Sequence, residues 1–232
     1  MSDVKGRPGQ ARRERAEATR RKIVDCAYRL FCENGYPSTT MEAIGAAADV
    51  AVQTVYYVFR TKAALLREVV ETAAAGEHDP PPVAQRTWMR QALTSPDGHR
   101  ALALTIEHGV DIYARVAPLA ATINTAAASD PDIDAYWRGV TDSRRAGMNR
   151  LIARLAGHGQ LRPGLDPQRA TDILVVLYSH ETFLGLTRDA GWSVPEYKAW
   201  LYETLSRQLL EAKPQSAGAT EDLSYHDLLR AH

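Results

Sequence analysis

Apolar and polar residues follow one another along most of this chain with the period of an amphipathic helix. Hydrophobic side chains recur at intervals of three and four residues, which places them on one face of a helix. Three stretches carry the pattern most clearly: Ile23, Ala27, Leu30 and Phe31; Leu102, Ile106, Val110 and Tyr113; and Ile133, Trp137, Val140, Met148, Leu151 and Leu155. The sequence contains no convincing pair of strands joined by a tight turn. It therefore predicts an all-α fold.

The N-terminal part of the chain predicts one long helix followed by two short ones. Asn34-Gly35 ends the first helix, because glycine readily adopts the left-handed conformation. Thr40 is a good N-cap for the second helix, and Asp49 tolerates the left-handed turn that follows it. The predicted helices are Ala18 to Glu33, Met41 to about Ala48, Val52 to Phe59, and a fourth from about Thr61. Two short helices separated by a tight turn are the layout of a helix-turn-helix.

The segment TTMEAIGAAADVAVQTVYYVFRTKAALL is similar to the DNA-binding segment of TetR-family transcriptional regulators. The close match covers roughly Thr19 to Leu66, and it rests on Gly35, Thr39, Thr40, Ile44, Val50, Thr54, Tyr56, Phe59, Lys62 and Leu65. The resemblance implies an N-terminal three-helix helix-turn-helix DNA-binding domain and a C-terminal helical ligand-binding and dimerisation domain. We therefore expect four segments: a flexible basic arm (1–18), the DNA-binding domain (19–62), the ligand-binding and dimerisation domain (63–212) and a C-terminal tail (213–232).

Charge is distributed unevenly, although the chain as a whole is neutral. It carries 28 basic and 28 acidic residues, so bulk charge identifies no partner. Residues 1–22, however, contain eight basic and three acidic side chains, which gives this segment a net charge of +5 (8 − 3). A basic arm on a neutral body is typical of contact with a polyanion, although a solvated, disordered tail would have the same composition.

The resemblance implies roles for individual residues of the helix-turn-helix. Val55 and Phe59 are expected to face the core. The residues expected to point into the major groove of DNA are Val52, Gln53, Thr54 and Tyr57, with Tyr56 and Tyr57 able to reach phosphates or sugars. An amide can pair with adenine, and methyl groups suit a thymine methyl. The expected phosphate contacts are Arg20, Arg21, Lys22, Thr40, Lys62 and the backbone N–H groups of Met41 and Glu42.

Three positions depart from the usual form of the family. Ala51 replaces the common serine before the third helix, so the cap of that helix is expected to be weak. Asp49 stands where glycine is frequent, and Val58 stands where a phosphate-contacting residue is frequent. We therefore expect the basic arm to carry an unusual share of the affinity for DNA.

The C-terminal helices are expected to form a dimer. Two helices, about Pro167 to Asp189 and about Val194 to Glu211, have broad apolar faces that need burial on two sides. A four-helix interface with a second copy would supply this burial, and two heads so placed would read a palindromic operator; burial inside a monomeric bundle is the alternative. The expected interface residues are Ile173, Leu177, His180, Leu184, Leu201, Leu205 and Leu209.

A small apolar or amphipathic effector is expected to bind mainly in the middle of the chain, between about Val83 and Leu155. Aromatic, methionine and a few polar residues there suit a mostly apolar cavity, although ordinary core packing would use the same residue types. The candidate ligand contacts are Trp88, His108, Tyr113, Asn124, Trp137, Met148 and Tyr178. His108 and His180 each follow or precede a glutamate, but adjacent helical residues point in different directions, so neither pair predicts a metal site.

Catalytic motifs are not recognisable in the sequence. It has no nucleophile elbow, phosphate loop or HExxH motif, and the spacing of Cys26 and Cys32 fits neither a zinc knuckle nor a redox pair. We expect no enzyme, no metal and no cofactor other than the unidentified effector. The lack of an apolar signal segment or spanning run predicts a cytoplasmic protein without a membrane partner.

The sequence favours a ligand-released repressor that acts as a homodimer. One alternative is an activator, or a regulator that senses no ligand. The other is a helical enzyme or carrier with a vestigial DNA-binding head.

Overall fold

The computed structural model of the protein describes residues 8–76, 83–211 and 225–230. Apart from one isolated bridge between Leu161 and Leu210, the regular elements in these ranges are helical, which confirms the all-α prediction. The α-helices are α1 (Pro8–Ser38), α2 (Met41–Ala47), α3 (Val52–Phe59), α4 (Lys62–Ala75), α5 (Thr87–Thr94), α6 (Gly98–Val116), α7 (Ala120–Ser129), α8 (Pro131–Gly157), α9 (Pro167–Leu177), α10 (His180–Leu184), α11 (Val194–Leu209) and α12 (Tyr225–Arg230). Among these described helices, none is both long enough and apolar enough to cross a membrane.

The chain divides into two compact units. Among the described residues, the first contains 8–74 and 118–137, and the second contains 75–76, 83–117, 138–211 and 225–230. In the first unit, α1 to α4 enclose a core of buried side chains: Ile23, Phe31, Ile44, Val55, Phe59, Leu65, Leu66 and Val69. Helix α7 packs against α1, and the buried Thr122 hydroxyl donates a hydrogen bond to the Phe31 carbonyl oxygen at 2.6 Å. The three-helix head is therefore completed by α4 and α7.

The first helix is longer at its N-terminus than the sequence pattern suggested. It begins at Pro8, not near Ala18, and residues 9–18 are all exposed. The sequence prediction relied on apolar residues that recur on one face of a helix. Residues 9–18 bury no such face, so the prediction missed this part of the helix. The segment is instead rich in strong helix formers (Ala, Arg, Gln and Glu), and proline is well suited to the first helical position. The helix is broken at Gly35, whose φ of 71° is left-handed, as predicted.

The turn between α2 and α3 brings these two helices close together. Thr40 caps α2 by accepting a hydrogen bond from the Ala43 N–H at 3.1 Å, and Asp49 adopts a left-handed φ of 52°; both were predicted. The Val50 N–H donates to the Gly45 carbonyl oxygen at 3.0 Å. A Cβ atom at Gly45 would lie 3.2 Å from the Val50 carbonyl oxygen. Glycine at this position therefore permits the close approach that orients α3.

In the second unit, α6 is the central helix. Its residues 101–106 are all buried, and α5, α11 and α12 pack against it. The core around it includes Met148, Leu151, Ile152, Leu155, Leu174, Tyr178, Tyr197, Leu201, Leu205 and Leu209. Because several helices rest on α6, a displacement of this helix would be felt throughout the second unit.

The predicted C-terminal helix pair is present, but its first member is interrupted. Helix α9 ends at Leu177, where Tyr178 leaves the helical conformation with φ −94° and ψ 65°. Ser179 then caps α10 by accepting a hydrogen bond from the Thr182 N–H at 3.2 Å. The prediction of one helix from Pro167 to Asp189 is therefore wrong. The spacing of apolar residues continues across Ser179, so it does not show that this serine begins a new helix.

Candidate nucleic-acid interface

The two faces of α3 differ in their exposure to solvent. Val55 is fully buried and Phe59 is 4% exposed, so the inner face belongs to the core, as expected. On the outer face, Tyr57 is 86% exposed and Tyr56 is 46% exposed. Burying a large aromatic side chain is strongly favourable, so two exposed tyrosines on one rigid helix form a surface available for contact.

Smaller side chains of α3 add hydrogen-bonding and methyl groups to this surface. Gln53 is exposed, and Val52 and Thr54 are half-buried at its edges. The major groove of B-DNA admits an α-helix, and amide, hydroxyl and methyl groups are among those that distinguish base pairs there. Ala51 supplies no side-chain cap at the start of α3, as predicted. The predicted base-reading residues therefore share one helix, which carries no charged side chain.

At the start of α2, two of the three residues predicted to contact DNA are exposed to solvent. Thr40 and Glu42 are exposed, whereas the Met41 side chain is 4% exposed and belongs to the core. The Thr40 hydroxyl accepts from the Ala43 N–H, and a hydroxyl that accepts one bond still has its own proton to donate. Met41 can therefore contribute to a surface contact only through its backbone.

Lys62 has partners inside the protein. Its ammonium nitrogen donates hydrogen bonds to the carbonyl oxygens of Tyr36 at 2.7 Å and Thr39 at 3.0 Å, and it lies 4.2 Å from the centre of the Tyr36 ring. Partial burial lowers the pKa of Lys62. Sequence reasoning missed this structural role, in which a cation satisfies carbonyl groups where the chain leaves α1. The ammonium group has three protons, and these two carbonyl groups accept two of them.

The three basic residues predicted to hold phosphates near residue 20 are not equivalent. The Arg20 guanidinium donates two hydrogen bonds to Glu68, both at 2.7 Å, and these bonds raise the pKa of Arg20. Arg21 is exposed. Lys22 lies 3.7 Å from Asp49, and both side chains are at least half exposed. The charge of Arg20 is therefore largely neutralised, while the other two remain at the surface.

Additional basic residues lie on the N-terminal extension of α1. Arg12, Arg13 and Arg15 are exposed and helical, with Glu14 and Glu17 between and after them. The sequence placed these arginines in a flexible arm. In the structure, the helix holds them at fixed spacing on the same element that continues into the core of the first unit.

Residues 23–69 match the sequence model of the family described as bacterial regulatory proteins, tetR family. This segment is therefore similar to the DNA-binding segment of that family. It contains all of α2 and α3, together with most of α4 and the part of α1 that packs in the core. The resemblance seen in the sequence is therefore confirmed for this segment.

Solved structures of tetR-type repressors have a similar fold. NalD of Pseudomonas aeruginosa, the secondary repressor of the MexAB-OprM multidrug efflux pump, is 22% identical with a TM-score of 0.63, over 85% of this chain and 98% of that chain. The complex of SmeT with triclosan is 23% identical with a TM-score of 0.62, over 88% of this chain and 98% of that chain. SmeT is the repressor of the Stenotrophomonas maltophilia multidrug efflux pump SmeDEF. No curated protein matches the sequence.

Outside the tetR-family segment, the seven predicted ligand contacts do not all belong to one unit. Asn124 and Trp137 belong to the first unit, and Asn124 is exposed. The other five belong to the second unit. There Trp88 stacks on His108 with ring centres 5.2 Å apart, and burial lowers the pKa of His108. Met148 is buried in the core of the same unit.

Tyr113 and Tyr178 form a buried polar cluster with Arg144. The two tyrosine rings have centres 4.9 Å apart, and the Tyr113 hydroxyl donates to the Tyr178 carbonyl oxygen at 3.0 Å. Arg144 donates to the Tyr113 hydroxyl at 2.7 Å and to the Tyr178 carbonyl oxygen at 2.9 Å. The Tyr178 hydroxyl donates to the Thr105 carbonyl oxygen at 3.1 Å. Burial raises the pKa of both tyrosines, so both remain neutral donors.

Sequence reasoning missed Arg144, although a signal for it exists. Arg144 stands four residues after Val140 and four before Met148, on the apolar face of α8. A lone arginine at such a position indicates a buried polar partner, since a buried charge requires hydrogen bonds.

His180 lies beside the same cluster. Its ring centre is 4.2 Å from that of Tyr113. Burial, assisted by the positive charge of Arg144 and opposed by Glu181, lowers the pKa of His180 to about 4. The imidazole is therefore neutral near pH 7. Among the residues that the structure describes, no three His, Cys, Asp or Glu side chains are grouped so that they could hold a metal ion.

The structure corrects part of the predicted dimer interface. Leu201, Leu205 and Leu209 are 0% exposed within the chain itself, because α11 packs against α6 and α9. They have no surface left for a second copy, and the alternative of burial inside the chain's own bundle holds for them. The other predicted contacts are half-buried: Ile173, Leu177, His180 and Leu184. Val176, which was not predicted, is 65% exposed on α9.

Proposed function

We propose that this protein is a homodimeric transcriptional repressor that reads a palindromic operator through α3 and is released from DNA by a small apolar or amphipathic effector. The observation that carries the proposal is the outer face of α3, where Tyr57 is 86% exposed. This side chain contributes little to the folded core, and it stands on the helix that a tetR-family domain presents to DNA.

Base reading and phosphate binding are divided between different elements in this proposal. Helix α3 offers Gln53, Thr54 and Tyr57 but no charge, so the cations that contact phosphates must come from other elements. The available cations include Arg21 and Lys22, both exposed, and the arginines of the α1 extension. Phosphate contacts supply affinity for any sequence, whereas α3 supplies the discrimination between sequences.

A dimer is expected because a single short recognition helix reads few base pairs. Two copies related by a two-fold axis would place their α3 helices in successive major grooves, about 34 Å apart. The exposed Val176, with the half-buried Ile173 and Leu177, makes α9 the best candidate for the contact between copies.

Release by an effector is supported by the relatives and by the interior of the second unit. NalD and SmeT are repressors of multidrug efflux pumps, and SmeT binds triclosan. In this chain, the Tyr113, Tyr178 and Arg144 cluster provides a few polar groups within an apolar core, which is the usual composition of a small-molecule site. A hundredfold release requires the effector to prefer the released state by about 2.7 kcal/mol.

The first test is selection of DNA from a random pool by the purified full-length protein at near-physiological salt. We expect enrichment of a palindrome, loss of its binding in Tyr57→Ala, and retention of binding in Asn124→Ala, a control at an exposed position of α7. Failure to enrich any sequence, or specific binding by Tyr57→Ala equal to that of the unmodified protein, would refute the proposed reading surface.

A further inference from the structure

Helix α12 rests on the second unit through a small number of contacts. It is six residues long, and it packs against α6 and α11, whose shared surface is called here the α6–α11 groove. Tyr225 is 6% exposed and Leu228 is 2% exposed, whereas His226, Asp227 and Arg230 are exposed. The helix therefore binds mainly through Tyr225 and Leu228, three residues apart, and the partly buried Leu229 packs beside them.

The tyrosine of α12 completes a cluster of charged groups in the groove. The Lys198 ammonium lies 2.9 Å from a Glu107 carboxylate oxygen and 2.7 Å from an Asp111 carboxylate oxygen. The Tyr225 hydroxyl donates a hydrogen bond to the other carboxylate oxygen of Glu107. Burial opposes ionisation of Glu107, but the hydrogen bonds from Tyr225 and Lys198 prevail and lower its pKa. The Tyr225 hydroxyl thus supplies a hydrogen bond to the Glu107 carboxylate, which is partly shielded from water.

The rest of α12 is also specifically recognised. Arg100 donates a hydrogen bond to the Leu228 carbonyl oxygen at 2.8 Å, which satisfies one of the carbonyl groups left open at a helix C-terminus. The Tyr225 ring lies with its centre 5.5 Å from that of Tyr202. The groove therefore contacts three features of α12: the Tyr225 hydroxyl, the Leu228 side chain and a carbonyl group near the C-terminus of the helix.

Helix α12 is too short to be stable by itself. Isolated helices of fewer than about 12 residues are marginal in water because the first turn is costly to form. Its six residues consequently become ordered when they dock. The conformational entropy lost opposes the burial of Tyr225 and Leu228 and the partial burial of Leu229. Such opposing contributions favour a helix that docks and undocks repeatedly.

We propose that the α6–α11 groove is a docking site for a short amphipathic helix with tyrosine and leucine three residues apart, and that residues 225–230 are its reversible occupant. The inference does not depend on the proposed function. Its consequence is that the occupancy of the groove acts on α6, since Glu107 contacts the tail while Thr105 and Tyr113 of the same helix contact Tyr178.

The experiment uses a fluorescent peptide of residues 220–232 and full-length protein. Leu228→Asp in the protein should vacate the groove, because an unpaired carboxylate is not buried at an apolar position. We expect saturable binding of the peptide to this variant. The unmodified protein should bind it at least about tenfold more weakly, since its own tail competes at high local concentration. A peptide with Leu228→Asp should not bind, and one with Arg230→Ala, at an exposed position, should bind like the original.

Two results would overturn the inference: equal binding of the peptide to the unmodified protein and to Leu228→Asp, or no binding to a Leu228→Asp protein that keeps its helical circular dichroism and cooperative unfolding. If that variant does not fold, Tyr225→Ala provides the same comparison. No DNA is present in these measurements, so their failure is distinct from failure of the proposed regulatory function.

Discussion

Gly109 lies where α6 meets Tyr178, and replacing it with alanine should destabilise the second unit. A Cβ atom at this position would overlap the Tyr178 hydroxyl oxygen and would lie 2.8 Å from the ring carbon that bears it. Tyr178 is 4% exposed, and its hydroxyl is bonded to the Thr105 carbonyl oxygen. The ring cannot withdraw without breaking this hydrogen bond and disturbing its contact with Tyr113.

The expected magnitude follows from three contributions. Overpacking of a well-packed core costs about 1–3 kcal/mol, and loss of the buried Tyr178 hydrogen bond costs about 1–3 kcal/mol more. The higher helix propensity of alanine relative to glycine offsets about 1 kcal/mol of this loss. The net destabilisation should be about 3 kcal/mol, which corresponds to a fall in melting temperature of roughly 6–12 °C for a chain of this size.

Thermal and urea unfolding, followed by circular dichroism at 222 nm, measure this effect, and the chain contains a matched control. Gly139 lies in α8 and has open space around its Cβ position. Gly139→Ala should therefore stabilise the protein by about 1 kcal/mol, so the same substitution should have opposite signs at the two sites. Combining Gly109→Ala with Tyr178→Phe removes the closest atom and should recover part of the loss. Equal melting temperatures for the two alanine variants would refute the reasoning.

Three further predictions concern the head, the α1 extension and His180. Lys62→Met should lower the free energy of unfolding by about 1–3 kcal/mol, because it leaves two carbonyl groups without a donor. The midpoint of urea unfolding measures this effect, and Lys22→Met is the control at an exposed position. Equal midpoints for the two variants would contradict the prediction. Arg12→Gln, Arg13→Gln and Arg15→Gln together should weaken binding to all DNA sequences and reduce the slope of log K against log salt by up to about 3; an unchanged slope would rule out phosphate contacts from the extension. Because the pKa of His180 is lowered to about 4 from its usual 6.5, the unfolded chain binds more protons between these values. Stability should therefore fall by up to about 3 kcal/mol as the pH falls through this window; His180→Phe should lack this loss, and identical pH profiles for the two proteins would argue against it.

The head could be read from the sequence because its signals are local. Thr40 as a cap, Asp49 in a left-handed turn, and the burial of Val55 and Phe59 all follow from residue type and spacing over a few positions. The structural role of Lys62 could not be read in this way. Its carbonyl partners belong to Tyr36 and Thr39, and their distance from the ammonium group is a property of the folded chain.

The second unit was harder to predict, because apolar spacing reports burial without naming the partner. Leu201, Leu205 and Leu209 were correctly recognised as buried but were assigned to contact with a second copy. The helical extension from Pro8 was missed for the opposite reason, since it buries nothing. The packing of Tyr225 and Leu228 against α6 could not be predicted either. A polar stretch without apolar periodicity precedes these two residues, and nothing in the sequence indicates their partner.

The core uses only two of the eight side chains of α3 as fully enclosed residues, Val55 and Phe59. Under the proposed function, stability and base preference are therefore encoded at different positions of the same short helix. A gene duplicate could change its outward residues, and with them its target promoter, without first acquiring compensating changes in the core. The same separation offers an engineer a short sequence that can be randomised to obtain orthogonal regulators on one unchanged scaffold.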